Sequence, residues 1–352
     1  MTTVAVTGAS GYLGRVFCTK LGEHPAVKRV IGIDTAEPTA TTRNLEFYRM
    51  DIRSPDLARV IAKSDVLVHL AFTVDDDPAE TRDVNVGGTR FALEAAVTSG
   101  VPKVVYASST LVYGAHPDND FPLTEASPLR PARDVPHSGH NAEAEAIIKA
   151  FGSTHPGLRS VVLRFSPVFG PNLSGTAARF VESPYAFSIR GYEVPGQALH
   201  EDDAARALLV ATMTDLEGVF NVCPDDWVPS QQIAEILGQR RVELDPDRAE
   251  QVAQRLSRLR IGSLPGAFIP FLMYPQVASN EKLKATGFSF ERTATEALAA
   301  GAEARKGWMA VGDVHFRPRR LALVGGAIAA VLLGGAVRKR RATRGKDVSE
   351  PG

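Results

Sequence analysis

The stretch Thr3-Val4-Ala5-Val6-Thr7-Gly8-Ala9-Ser10-Gly11-Tyr12-Leu13-Gly14 decides how the rest of the chain is read. Thr3 to Val6 has the β-branched, apolar character of a short buried strand, and Leu13 to Gly22 continues as a helical pattern. Between them stand three glycines spaced three apart. Glycine permits a tight turn and a close approach of backbone to a pyrophosphate, and a helix start offers free N–H groups with a partial positive charge. The backbone of Gly8, Ser10, Gly11, Tyr12, Leu13 and Gly14 is therefore the expected phosphate cradle. A second strand, Val30 to Asp34, ends on a carboxylate twenty residues beyond Gly14. A carboxylate there accepts hydrogen bonds from both ribose hydroxyls and repels a 2′-phosphate, so the expected cofactor is NAD rather than NADP.

The pattern then repeats. Strands are expected at Val66 to Leu70, Lys103 to Ser108 and Ser160 to Phe165, and helices at Asp56 to Ala62, Thr81 to Ser99 and Asn141 to Phe151. Such alternation predicts an α/β fold with a doubly wound parallel sheet over residues 1–165. Residues 166–301 read as a smaller, mixed α/β substrate lobe interleaved with the sheet, with a strand at Gly218 to Val222 and helices at Ser230 to Leu237 and Asp247 to Leu259. Residues 302–320 read as a linker.

The chain has 352 residues, and forty Lys+Arg balance forty Asp+Glu, so no global positive field favours nucleic acid. Its two cysteines, Cys18 and Cys223, are too far apart for a metal-ligand spacing and are expected as buried thiols in a reducing compartment. No metal site is expected. Met1 to Val6 shows no signal peptide, which places the folded part in the cytoplasm. Residues 321–337, LALVGGAIAAVLLGGAV, carry no charge and are followed by a basic tail at 338–352. As a helix the run would span about 26 Å, a short membrane anchor with snorkelling arginines at both ends. Gly325, Gly326, Ala330 and Gly334 would form a small-residue stripe able to pair two such anchors into a homodimer.

TGASGYLG resembles the glycine loop of the extended short-chain dehydrogenase/reductase family, the NAD-dependent epimerases and dehydratases, which have a Rossmann-type sheet. Other segments agree. By that resemblance Asp51-Ile52 touches the adenine, Leu70-Ala71 forms the turn after the fourth strand, and Asn85 belongs to the NVxGT segment. Ser108-Ser109-Thr110-Leu111-Val112-Tyr113-Gly114 is similar to the SSxxVYG block, with Ser109 as the active-site hydroxyl. Pro167 and Val168, in RFSPVFGP, correspond to the turn lining the nicotinamide, and His200-Glu201-Asp202-Asp203 to the HVDD segment. The resemblance implies hydride exchange at a secondary alcohol or ketone of a sugar-nucleotide, steroid or lipid-like substrate.

The pattern breaks at the family's Tyr-x-x-x-Lys pair. Counting back from Glu145, the tyrosine position falls on His137 and the lysine position on Asn141, and no tyrosine in the chain has a lysine four residues later. Three readings are open. His137 is the acid/base itself, with an imidazole suited to neutral pH. Alternatively, His137 is a solvated residue at a helix start capped by Ser138, and the fold is a non-catalytic NAD-binding sensor or scaffold tethered to the membrane. In the third, Ser109 or the run Asp75-Asp76-Asp77 carries the chemistry. A second departure is Gly196, at the position where sugar-nucleotide enzymes carry an arginine for the diphosphate; Arg164, Arg179 or Arg190 would have to compensate. The apolar stretch Leu264 to Val277 is either core or the lining of a lipid-facing pocket.

Overall fold

A computed structural model of the chain describes residues 1–39, 42–74, 77–132, 135–258, 266–311 and 314–316. The first half runs β1 (Thr2–Thr7), α1 (Tyr12–Glu23), β2 (Val27–Asp34), β3 (Leu45–Arg49), α2 (Leu57–Ile61), β4 (Val66–His69), α3 (Pro78–Arg82), α4 (Gly88–Ser99), β5 (Lys103–Ser109), α5 (Pro136–Thr154) and β6 (Arg159–Phe165). There follow β7 (Val168–Phe169), α6 (Gly175–Glu182), β8 (Tyr185–Ile189), β9 (Leu199–His200), α7 (Glu201–Met213), β10 (Gly218–Val222), α8 (Ser230–Ile236), β11 (Arg240–Leu244) and α9 (Pro246–Arg258). The last elements are α10 (Glu281–Lys284), α11 (Ala294–Ala304), β12 (Met309–Val311) and β13 (Val314–Phe316).

Seven strands form one sheet in the order β10-β6-β5-β4-β1-β2-β3, with every neighbouring pair parallel. Because both faces are covered, successive strand residues enter opposite cores. Val4, Val6, Val68 and Val105 face α1 and α7 with Phe17, Leu21 and Leu208. Ala5, Leu67 and Val104 face α2, α4 and α5 with Leu57, Leu93 and Ile148. The chain crosses over in opposite directions on the two sides of β1, so a crevice opens at the carboxyl ends of β1 and β4. Beside the sheet, β8 pairs with β11, and α6, α8 and α11 pack through Val181, Ile233, Ala297 and Leu298.

The doubly wound parallel sheet agrees with the expectation, and β10 lies at the expected Gly218–Val222. Strands β3, β7, β8, β9, β11, β12 and β13 were not foreseen: β7, β9, β12 and β13 are only two or three residues long, and β3, β8 and β11 are short and carry exposed residues, so they lack the buried apolar run that marks the inner strands. The expected helix Thr81 to Ser99 is α3, a π-helical turn at Asp83–Gly87 and α4 in succession. Helix α5 starts at Pro136, whose fixed φ suits a first helical position, and Ser138 does not cap it. Ser138 is buried instead, donating to Leu111 O at 2.6 Å. Within the expected linker, β12 and β13 pair antiparallel. Part of the apolar stretch, Phe268, Leu272 and Met273, packs with Ile189 and Leu244 as a satellite core. Both cysteines are buried free thiols, and burial pushes the Cys18 pKa up to about 12. Residues 321–337 and 338–352, and Asp75 and Asp76, lie outside the described residues. Among the described residues no helix is long and apolar enough to cross a membrane, and no cluster of metal-ligating side chains occurs.

Candidate functional site

The glycine loop is dictated by contact. Gly8 has φ +70°, and a Cβ there would lie 2.6 Å from Ala71 N; a Cβ on Gly14 would lie 2.0 Å from Gly8 O. Only glycine lets β1, the turn after β4 and the first turn of α1 close on one another. Gly11 precedes α1 and no side chain caps that helix, so its leading N–H groups are free for an anion. The loop borders a cleft of about 420 Å³ lined by Gly8, Ser10, Gly11, Asp34, Asp51, Ile52, Leu70, Ala71, Phe72 and Thr73, among others.

At one end, Asp34 Oδ2 accepts from Ser10 N at 2.9 Å and Oδ1 from Ala36 N at 3.0 Å. Each oxygen keeps a lone pair for a ribose hydroxyl. Asp51 is held by Arg53, which donates from Nε to Oδ1 at 3.0 Å and from Nη2 to Oδ2 at 2.7 Å. These bonds hold the Asp51 carboxyl below its usual range. Arg53 also reaches Glu80 at 2.8 Å and Asp83 at 2.6 Å, tying the floor of the cleft to α3 and the turn after it. Arg53, Phe72, Thr73 and Glu80 were not picked out from the sequence; the position of Arg53 directly after Asp51-Ile52 was the available signal.

Asn85 does not line the cleft but supports it. Its Oδ1 accepts from Thr73 N at 2.8 Å, and its Nδ2 donates to Thr73 O at 2.9 Å and to His140 Nδ1 at 3.2 Å. Beneath it, His69 bonds Thr7 Oγ1 at 2.6 Å and Thr89 Oγ1 at 3.1 Å, and burial pushes its pKa down to about 4. The other expected cofactor residues are not among those that line this cleft. Leu13 packs on the core, Ser108 Oγ donates to Glu145, and Val168 pairs with Leu199, whose N–H donates to Pro167 O at 2.9 Å. Tyr12 turns toward Glu201.

The expected catalytic residues surround the start of α5. Ser109 ends β5, and its Oγ accepts from Leu111 N at 3.2 Å. Ser138 bonds the same turn at Leu111 O, so the first turn of α5 is fixed against the Ser109 turn. His137 is half-buried: its ring lies 5.1 Å, centroid to centroid, from that of Phe72 on the cleft wall, and part of it still meets solvent. Burial and the neighbouring His140 push its pKa down to about 4. Asn141 is buried, with Oδ1 accepting from Tyr106 Oη at 2.8 Å and Nδ2 donating to His137 O at 2.8 Å. Asp77 caps α3, accepting from Ala79 N at 2.9 Å.

Residues 4–223 match the model of the NAD dependent epimerase/dehydratase family. The chain belongs to this family. Its cofactor is NAD, and the uncapped start of α1, the glycine contacts and the two free acceptor sites on Asp34 fit that group. An uncharacterised protein of Mycobacterium tuberculosis is 31% identical over 233 residues, covering 63% of this chain and 62% of the relative, so the chain spans about three fifths of that relative's length. A UDP-glucose 4-epimerase of Streptomyces lividans is 30% identical over 189 residues, 51% of this chain and 55% of its own length. Among solved structures, the Thermus thermophilus UDP-glucose 4-epimerase in complex with NAD superposes with a TM-score of 0.68 at 23% identity, covering 86% of this chain and 98% of that one.

In this epimerase-family chain two of the arginines named as substitutes for a diphosphate grip, Arg164 and Arg190, lie beside carboxylates. Arg164 is buried and gives Glu145 a fork of bonds, the shortest 2.6 Å, while its Nη1 donates to Tyr113 Oη at 2.8 Å. It is structural, because a guanidinium this deep needs its carboxylate. Arg190 lies on the surface beside Glu243 and Asp245, at 3.6 and 3.5 Å. Gly196 forms an antiparallel bridge with Val228, and a Cβ there would touch Ile233 at 2.8 Å.

Proposed function

We propose that the chain is an NAD-dependent oxidoreductase that exchanges a hydride at a secondary alcohol or ketone of a sugar nucleotide, with His137 in the place of the tyrosine acid/base. The observation that carries this reading is the corner built by Ser138, which holds the first turn of α5 against the Ser109 turn while the His137 ring sits on Phe72 of the cleft wall. NAD, when bound, supplies the hydride acceptor or donor. The protein's part is the proton. A neutral imidazole nitrogen of His137 takes the proton from the substrate hydroxyl as the alcohol is oxidised, and Ser109 Oγ holds the same oxygen by a hydrogen bond. Asn85 and His69, through Thr73, Thr7 and Thr89, keep that wall in place.

One feature favours the alternative of a non-catalytic NAD-binding protein: Asn141 has its amide turned to Tyr106, so the corner holds no ammonium at that position. The experiment follows absorbance at 340 nm in single turnovers with NAD-loaded protein and a panel of nucleoside-diphosphate sugars. Hydride transfer that falls about 10²- to 10⁴-fold in His137→Ala is the expected result. Transfer that survives in that variant removes the histidine role, and no transfer with any sugar, at full NAD occupancy, favours the non-catalytic reading.

A further inference from the structure

Outside the proton-transfer corner, one buried carboxylate joins the two halves of the molecule. Glu201 is 2% exposed and is the first residue of α7. Tyr12 Oη, at the first residue of α1, donates to its Oε2 at 2.6 Å. Asn172, in the turn after β7, donates from its backbone N at 3.1 Å and from Nδ2 to Oε1 at 2.6 Å. The ring of bonds closes through Arg15, one turn along α1, which donates to Asn172 O at 3.4 Å and to Ser10 O at 3.3 Å. Ser10 N in turn donates to Asp34.

Two further contacts show that the place is built for this carboxylate. A Cβ on Gly170 would lie 2.4 Å from the Glu201 carboxyl carbon, so the turn needs glycine to admit it. The Tyr12 side chain packs against the substrate-lobe cluster of Phe169, Leu173, Ala178 and Val181. The start of α7 favours a negative charge through the helix dipole.

We propose that Glu201 is a positioning residue that locks the glycine loop to the substrate lobe and so sets the affinity for NAD. Tyr12 begins the helix whose leading N–H groups face the pyrophosphate, and Ser10 and Arg15 flank it. Tying Tyr12 directly, and Arg15 and Ser10 through Asn172, to one carboxylate orders the loop before the cofactor arrives, which removes an ordering cost from binding. The burial of Tyr12 and its bond to Glu201 hold the phenol protonated, and thus a donor, at every working pH. The inference rests on NAD binding alone and not on the role given to His137.

The test titrates full-length parent, Tyr12→Phe and Glu201→Gln with NAD and with adenosine, which carries no phosphate, and records the melting temperature of each ligand-free protein. Tyr12→Phe removes one donor and leaves the ring; Glu201→Gln keeps the shape and one acceptor, and gives the same reading if the first variant does not fold. In each variant the NAD Kd is expected to rise about tenfold, the equivalent of one net hydrogen bond, with adenosine within twofold of the parent. An NAD Kd within twofold of the parent alongside a lowered melting temperature would make Glu201 purely structural. Equal weakening of NAD and adenosine would also overturn the proposal, because the damage would then not be at the phosphate loop.

Discussion

Asp34→Asn is the sharpest test of the cofactor site, because the structure fixes what each carboxylate oxygen does. Ser10 N and Ala36 N each occupy one lone pair, at 2.9 and 3.0 Å, and leave two acceptor sites for the two ribose hydroxyls. Asparagine has the same shape but a single acceptor oxygen. Its amide nitrogen faces either Ser10 N or Ala36 N, donor against donor, and one ribose hydroxyl loses its acceptor. Losing one hydrogen bond to a charged group costs about 1.5–3 kcal/mol, which corresponds to a rise in the NAD Kd of about 10- to 150-fold. The 2′-phosphate of NADP, repelled by the carboxylate, gains where NAD loses. The preference for NAD over NADP should therefore fall by at least about tenfold. Calorimetric titration of both cofactors into parent and variant measures it, with melting curves to show that the variant is folded. A folded variant with the parental NAD Kd and an unchanged NAD/NADP ratio would refute the assignment of Asp34 to the ribose.

Two more predictions concern buried groups. His69 and His137 have folded pKa values of about 4, below the ordinary 6.5, so between those values the unfolded chain binds more protons. Their contribution to stability is complete above about pH 6.5 and is lost as pH falls toward about 4. It is at most about 3 kcal/mol for buried His69 and less for His137, whose edge meets solvent. Urea unfolding at pH 7.5 and 5.0 should show the drop, and His69→Gln should flatten it; a flat profile in the parent would contradict the buried neutral state. Glu145→Gln should destabilise the protein by about 3–5 kcal/mol, because it strands the Arg164 guanidinium in the core. A loss below 1 kcal/mol in denaturant titration would mean that water reaches the pair.

The parts of the molecule legible in the sequence are those decided by neighbours along the chain. Gly8, Gly11 and Gly14 announce their turn because the steric demand is local, and Asp34 is found because it ends the next strand. What could not be read depends on partners far away in sequence. Arg164 reads as a candidate anion ligand until Glu145, nineteen residues off, is seen forked onto it. Tyr12 reads as one more loop residue until its hydroxyl meets Glu201, 189 residues later. Strand β3 was missed because Leu45 to Arg49 pairs only with β2 at the sheet edge and keeps exposed side chains, so its hydrophobic signal is thin.

On the proposed reading, in which positions 137 and 141 are those of the family's acid/base pair, their two residues set the electrostatics of the corner together. An ammonium at 141 would need the cleft side, where solvent or an anion can meet it; an asparagine amide is short and neutral, and the core satisfies it through Tyr106 Oη and His137 O. With no cation at 141, a tyrosine at 137 would lack the partner that holds its phenolate and would keep its proton at neutral pH. An imidazole has the opposite property: burial against Phe72 favours its uncharged form, the form that the proposed base role needs. A neutral residue at 141 and a histidine at 137 are therefore mutually consistent, whereas either substitution alone would leave a charge or a proton in the wrong place. Proton uptake by His137 then requires the substrate to make the imidazolium more favourable than it is in the free protein. On the proposed reading, a negatively charged substrate close to His137 would do so by direct attraction, raising the His137 pKa from about 4 toward neutrality.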